Sequence, residues 1–207
     1  MNKKFQINLK FFKNYSKLAK IAYESLSNAF RLHYDSLILY QNRSYSTAFV
    51  LSVLALEEFG KFLIYNDLAW NEGVGQGGIP NDYVELHKQY IKESLGDHNR
   101  KIDKVLYNYF GPFIKKGRDK YLKSLSRERL TALYVGVNQK NGHINLPKKF
   151  PKNKVMFQLK LMNNEIFLKS SSGVKTHYLT YDNDANDNLL KRNYQKLAKI
   201  SKKLKGL

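Results

Sequence analysis

Apolar residues recur every three to four positions across the first third of the chain. Over residues 14–40 they form one stripe with no Gly or Pro, which is typical of a long amphipathic helix. After a polar break, Ser44 or Ser46 can cap a second helix with the same spacing, extending to about Tyr65. Because the break between them is short, the pattern predicts an antiparallel hairpin of two helices.

Helical spacing returns after a Gly-rich connector at residues 71–82. A third helix is predicted over about 82–110, although Gly96 weakens its middle. Two shorter helices are then predicted over about 113–125 and 127–135.

The character of the chain changes after Pro147. Apolar and polar residues alternate over 155–161, and the pair Asn163-Asn164 has the composition of a turn. These features predict a β-hairpin-like insertion at residues 150–181. Beyond it, residues 183–205 show the spacing of a basic C-terminal helix.

The predicted fold class is therefore mostly α, an antiparallel helical bundle in a single domain of residues 1–207. Its core lies at residues 14–135, and the small β-hairpin precedes the last helix. No stretch reaches the roughly 18 to 20 apolar residues of a membrane span, and the basic start of the chain lacks the continuous apolar segment of a secretory signal. We expect a cytoplasmic protein with no membrane partner.

The charge balance changes this picture of an ordinary helical domain. Lys and Arg number 36 against 17 Asp and Glu, a formal charge of +19, which attracts polyanions. Nucleic acid or an acidic protein is the expected partner, unless the lysines only solvate the surface. The chain has no cysteine, and its five histidines lack metal-ligand spacing. We therefore predict neither a metal nor a cofactor.

A short polar sequence, Glu57-Glu58-Phe59-Gly60-Lys61, interrupts the apolar second helix. Glu57 and Lys61 have the spacing of a surface ion pair. Glu58 falls on the apolar stripe, where an unpaired charge is costly, so we expect a buried partner for it. Gly60 in mid-helix predicts that another helix or a side chain approaches closely there.

His98 is the partner that the helical spacing offers to Glu58, because it falls on the apolar face of the third helix. A contact between them would hold a charged or polarised imidazole in the core. With Lys101 one turn further on, the three residues could perform acid–base chemistry on RNA. The same residues with Lys61 could instead form a satisfied polar network that fixes the register of the helices.

Basic residues near this cluster and on the last helix are candidate binding residues for a polyanion. They are Lys61, Arg100, Lys104, Arg127, Arg129, Lys191, Arg192 and Lys199.

Several of these sequence elements occur in one order along the chain. They are ALEEFGK at 55–61, HNRK at 98–101, RER at 127–129 and LYV at 133–135, followed by Gly142 and Pro147. In this order and spacing the chain resembles the AbiV family of phage abortive-infection proteins. The resemblance covers residues 14–150.

The resemblance implies a HEPN-like helical bundle that works as a homodimer in bacterial defence. It further implies a toxin that a phage-encoded protein activates and that arrests gene expression, chiefly translation. Many HEPN relatives are metal-independent ribonucleases with an Arg followed, after four to six residues, by a His. No Arg of this chain is followed by a His at that spacing.

Three functions remain open at this point. The leading hypothesis is an effector that binds RNA or the translation machinery. The alternative is a metal-independent endoribonuclease in which His98 acts as general base, Glu58 orients its ring, and Arg100, Lys101 or Arg127 stabilises the phosphorane. A third is a regulatory protein whose basic face docks an acidic phage protein.

Overall fold

A computed structural model of the chain describes residues 15–74, 89, 96–110, 115–133, 136–137, 144–145, 149–171, 192, 195–196 and 198–200. Five long helices lie in this part of the chain: α1 (Tyr15–Gln41), α2 (Tyr45–Val74), α3 (His98–Phe110), α4 (Lys115–Leu133) and α5 (Lys152–Ser171). Between α4 and α5, strand β1 (Gly136–Val137) pairs antiparallel with β2 (Ile144–Asn145).

The hairpin of α1 and α2 confirms the prediction from periodicity. At the end of α1 the amide of Ser44 donates to the carbonyl of Leu39 at 2.8 Å, and the amide of Arg43 donates to that of Tyr40 at 3.1 Å. This is a Schellman cap in which Arg43, with φ 61°, occupies the left-handed position usually taken by glycine. The cap reverses the chain within three residues, so α2 packs along the length of α1.

Helix α2 lies at the centre of the bundle and contacts α1, α3, α4 and α5. Its fully buried side chains include Phe49, Leu56, Phe59 and Phe62. Because neighbours surround it on several sides, its buried residues are not confined to one stripe. The mostly helical fold class is confirmed.

The predicted β-hairpin insertion at residues 150–181 is wrong for the part of it that the structure describes. Residues 152–171 form α5, in which Val155, Leu159 and Met162 are buried at spacings of four and three. The alternating run was too short to distinguish the two periods. Asn163 lies within the helix and is buried, so it forms no turn. Residues 172–181 lie outside the described residues.

Two further boundaries differ from the predicted ones. The helices predicted over 113–125 and 127–135 are one helix, α4, because Leu125 and Ala132 continue a single buried face through Ser126. Helix α3 begins at His98, after a turn at Gly96; of the preceding predicted segment, only Gln89 is described, as helical.

The basic C-terminal helix is described in part. Residues 192, 195–196 and 198–200 are helical, and Ile200 is buried in the core. Within the described part of the chain, none of the helices combines the length and hydropathy needed to cross a bilayer.

A buried polar contact joins α1 to α5. His33 is completely buried, and its Nε2 lies 3.4 Å from the amide oxygen of Asn163. Burial lowers the pKa of His33 to about 4, although the hydrogen bond to Asn163 acts in the opposite direction. The imidazole is therefore neutral at physiological pH.

Candidate functional site

Helices α2 and α3 meet at Gly60. A Cβ atom added there would overlap the carbonyl oxygen of Lys101 and lie 2.6 Å from its carbonyl carbon. Only a residue without a side chain allows the first turn of α3 to approach α2 this closely. The close approach predicted from a mid-helix glycine is confirmed.

Glu57 lies one turn before Gly60 on the same face of α2, and it is 7% exposed. Its Oε2 accepts a hydrogen bond from Nδ1 of His98 at 2.8 Å, and its Oε1 accepts one from Nη1 of Arg129. His98 begins α3, and Arg129 belongs to α4. One buried carboxylate therefore connects three helices.

The predicted contact between Glu58 and His98 is wrong. Glu58 is only partly buried and forms an ion pair with Lys61 at 3.3 Å. The two neighbouring glutamates thus exchange the roles expected of them. Because α2 is buried on several sides, its apolar stripe does not identify the face that meets α3. Gly60 identifies that face, and Glu57, three residues earlier, shares it.

His98 lies at the rim of the site and not in the core as predicted, since 63% of its side chain is exposed. A carboxylate only accepts hydrogen bonds, so Nδ1 carries the proton that points to Glu57. In the neutral ring, Nε2 is then an acceptor. Next to it, Asp97 caps α3 by accepting the amide of Asn99 at 2.8 Å.

Lys101 is half-buried beside the same cluster. Burial lowers the pKa of its ammonium group, and the charge of Lys61 adds to this effect. The carboxylates of Glu57, Glu58 and Asp97 act in the opposite direction. Lys101 is therefore within electrostatic range of the glutamates and of Lys61, as the sequence predicted for a central polar cluster.

The other candidate binding residues lie apart from this cluster, with the exception of Arg129. Lys104 forms an ion pair with Asp67 at 2.7 Å, and Arg100 lies 4.0 Å from Asp97. The exposed candidates are Arg127 on α4 and, near the C-terminus, Arg192 and Lys199. Lys191 lies outside the described residues.

Two contacts in this region were not predicted. The hydroxyl of Ser126 on α4 donates to the side-chain oxygen of Asn99, which follows His98. Arg118 of α4 forms an ion pair with Asp103 of α3 at 2.8 Å. Together with the bond from Arg129 to Glu57, they fix α4 against the start of α3. The periodicity of α4 marks Arg118 and Arg129 as facing the core, but it does not name their partners.

Among the residues that the structure describes, no group of three or more His, Asp or Glu side chains is placed to hold a metal ion. The chemistry available at the site is that of one exposed imidazole oriented by a buried carboxylate, with cationic side chains around it.

Comparison with known proteins gives one match. No curated protein and no solved structure matches the chain. The HEPN_AbiV family model, described as AbiV, matches residues 17–167, a span that includes Glu57, His98 and Arg129. The match connects the chain with abortive infection and with HEPN-type helical bundles, and the chain belongs to the AbiV family.

Proposed function

We propose that this protein is an abortive-infection effector that arrests gene expression, chiefly protein synthesis, after a phage-encoded protein activates it. It acts by binding RNA or the translation machinery. The observation that carries the proposal is the cluster at the junction of α2, α3 and α4, which lies inside the matched family region and presents His98 to solvent among cationic side chains.

Binding is favoured over cleavage by the way the cations of the cluster are used. Glu57 holds both His98 and Arg129, and Lys61 is paired with Glu58. A phosphorane needs a cation free to approach it. Arg129 already binds the buried carboxylate of Glu57, so it is suited to fixing three helices and not to binding a reacting phosphate.

A second candidate function, a metal-independent endoribonuclease, is supported by the geometry of His98 itself. Its Nδ1 is bound to a carboxylate while most of the side chain is exposed. Nε2 can then take the proton from a ribose 2′-hydroxyl, so that the oxygen attacks the adjacent phosphorus and the 5′-oxygen leaves. Glu57, in place of Glu58, would orient the ring, and Lys101 would stabilise the phosphorane.

The proposed effector is a homodimer that works in the cytoplasm. The support for this is the resemblance to HEPN relatives, many of which work as dimers with a composite site. Light scattering of the purified chain tests the assembly directly: we expect twice the mass of 24.2 kDa.

A cell-free bacterial translation reaction tests the function. Purified protein is added alone and with lysate of phage-infected cells, and protein synthesis and RNA integrity are recorded together. Loss of synthesis with intact RNA is the expected result. Fragmented RNA would support the ribonuclease instead, and undiminished synthesis in both reactions would contradict translation arrest.

The variant His98→Gln separates the two candidates further. Gln keeps a polar side chain but cannot act as a general base near neutral pH. A ribonuclease would lose cleavage in this variant, whereas a binding effector would keep most of its inhibition. Arg31→Gln on α1, also an exposed position, is a control for nonspecific effects of a surface change.

A further inference from the structure

One exposed face of α4 carries a row of cations. Lys116, Lys120, Lys123 and Arg127 follow one another at spacings of four, three and four, so they share one face of the helix. All four are exposed. With a rise of 1.5 Å per residue, the row extends over about 16 Å. We call these four residues the α4 stripe.

The α4 stripe lies opposite the side of α4 that packs into the bundle. The buried residues Arg118, Leu125 and Ala132 occupy that other side. At one end of the stripe an open recess of about 570 Å³ is lined by Lys115, Lys116, Asp119, Lys120 and Lys123. The four cations of the stripe therefore lie on the outer surface of α4.

Carboxylates in the described part of the chain neutralise only a small share of the charge of the α4 stripe. Within the described residues, no ion pair involves any of its four cations, whereas Arg118 and Arg129 on the same helix are both paired. Of the acidic residues of α4, Glu128 is buried and bound to Lys154. Asp119 lies beside the stripe and offsets part of its charge.

The turn of α4 at which the stripe ends also contacts the start of α3. Ser126, the residue before Arg127, donates a hydrogen bond to Asn99, the residue after His98. Arg129, two residues beyond Arg127, shares the carboxylate of Glu57 with His98. Arg127 lies on the opposite face of this turn from Arg129, so the stripe ends on the outer surface of α4 at the level of the start of α3.

We propose that the α4 stripe binds the sugar–phosphate backbone of single-stranded RNA. This inference rests on the proposed function in taking RNA as the partner, and it adds the surface and the form of RNA. Cations at regular intervals suit phosphates, which carry one charge per nucleotide. Contacts of this kind position a strand without reading its sequence.

A strand of RNA fits this surface better than a protein does. Protein interfaces have an apolar core, and the only large apolar side chain in line with the stripe that the structure describes as exposed is Leu130. A single straight row also contacts one backbone, whereas proteins that bind duplex RNA span successive minor grooves. Single-stranded RNA is therefore the form expected.

The test is fluorescence anisotropy with a labelled 12-nucleotide oligouridylate, measured at several salt concentrations. The stripe variant is Lys116→Gln, Lys120→Gln, Lys123→Gln and Arg127→Gln in one chain. Its control replaces four exposed lysines elsewhere, Lys20, Lys149, Lys152 and Lys160, by Gln. Both variants lose the same charge, so only position distinguishes them. Circular dichroism checks that both remain folded.

We expect the stripe variant to bind much more weakly than the control. For single strands each phosphate contact contributes about 0.7 to the slope of log K against log salt. The stripe variant should therefore lose up to about 3 in that slope, whereas the control keeps most of it. The same oligonucleotide annealed into a duplex should bind the unaltered protein less well, and a deoxyuridine oligonucleotide should bind it by the same salt-dependent contacts.

Several outcomes would overturn the inference. Equal loss in the stripe variant and the control would mean that diffuse charge attracts RNA, and stronger duplex binding would exclude a single-strand track. No RNA binding by the unaltered protein would also overturn it. If that protein still arrests cell-free translation, the proposed function survives with a protein target, so the two failures are distinguishable.

Discussion

Two of the histidines that the structure describes make a hydrogen bond to a side chain of another helix, but one is buried and the other is mostly exposed. His33 is completely buried between α1 and α5, and its partner is the neutral amide of Asn163. His98 is mostly exposed at the start of α3, and its partner is the buried carboxylate of Glu57. The first contact connects two helices, and the second connects α3 through Glu57 to α2 and α4.

The two histidines differ in how their surroundings affect the ring and its access to solvent. Burial keeps the ring of His33 neutral, and the hydrogen bond to Asn163 offsets only part of this effect. Around His98, the carboxylate orients the ring, and water or substrate can reach its other nitrogen. Burial alone would have pointed to His33 as the special histidine, yet exposure combined with a buried charged partner is what makes His98 the candidate for function.

The largest effect is expected from the contact that places His98. Gly60→Ala forces a methyl group into the carbonyl of Lys101, so the first turn of α3 must move away from α2. Overpacking of this kind costs about 3 kcal/mol of unfolding free energy. Urea denaturation measures the loss. Gly96→Ala is the control, since its added Cβ meets no atom within 4 Å; a loss of similar size there would contradict the explanation.

The buried histidine predicts a pH dependence. In the unfolded chain His33 has its usual pKa of 6.5, and in the folded chain the value is about 4, so between these values the unfolded state binds more protons. Stability is therefore complete above pH 6.5 and falls as the pH is lowered. We expect a loss of about 2 kcal/mol between pH 7 and pH 5.

Urea denaturation across that range tests this prediction. His33→Gln should be less stable at pH 7 but should show a flatter profile. An unchanged slope in His33→Gln would assign the pH dependence to other groups.

The neighbouring glutamates provide a matched pair of substitutions. Glu57→Gln removes a buried charge that binds both His98 and Arg129, and we expect it to cost about 1.5 kcal/mol. Glu58→Gln affects only a partly exposed ion pair with Lys61, which contributes less than about 1 kcal/mol. Thermal or urea unfolding of the two variants side by side measures the difference. Equal losses would mean that the three-helix junction does not depend on Glu57.

The smallest effect on stability is expected at His98 itself. Because its side chain is mostly exposed and the amide of Gln can still donate a hydrogen bond to Glu57, His98→Gln should change the unfolding free energy by less than about 0.5 kcal/mol. Any change in toxicity or RNA cleavage would then arise from the imidazole and not from misfolding. A large loss of stability would instead make His98 a structural residue, as His33 is.

The sequence predicts the parts of this fold that depend on long, regular patterns. The stripe of α1 and the polar break before α2 were sufficient for the helical hairpin, and Gly60 was sufficient for the close approach to α2. Short patterns of apolar and polar residues did not predict the correct secondary structure. Seven alternating residues before Asn163 fit a strand and a helix equally well, and packing against α2 and α1 decides for the helix α5.

The sequence predicts which residues belong to the candidate site better than it predicts the contacts between them. Lys61, His98 and Lys101 lie near one another as expected, but Glu57 replaces Glu58 as the partner of His98. An amphipathic stripe identifies the face of a helix that is buried against one neighbour. Helix α2 has several neighbours, so its sequence alone does not assign each face to a particular helix.

The contact between Gly60 and Lys101 places different requirements on the two positions. What touches the glycine is the main chain of Lys101, which every amino acid shares, so this contact requires a particular residue at position 60 but not at position 101. A substitution at position 101 can therefore change the charge beside His98 while the main-chain contact that holds α3 against Gly60 is kept.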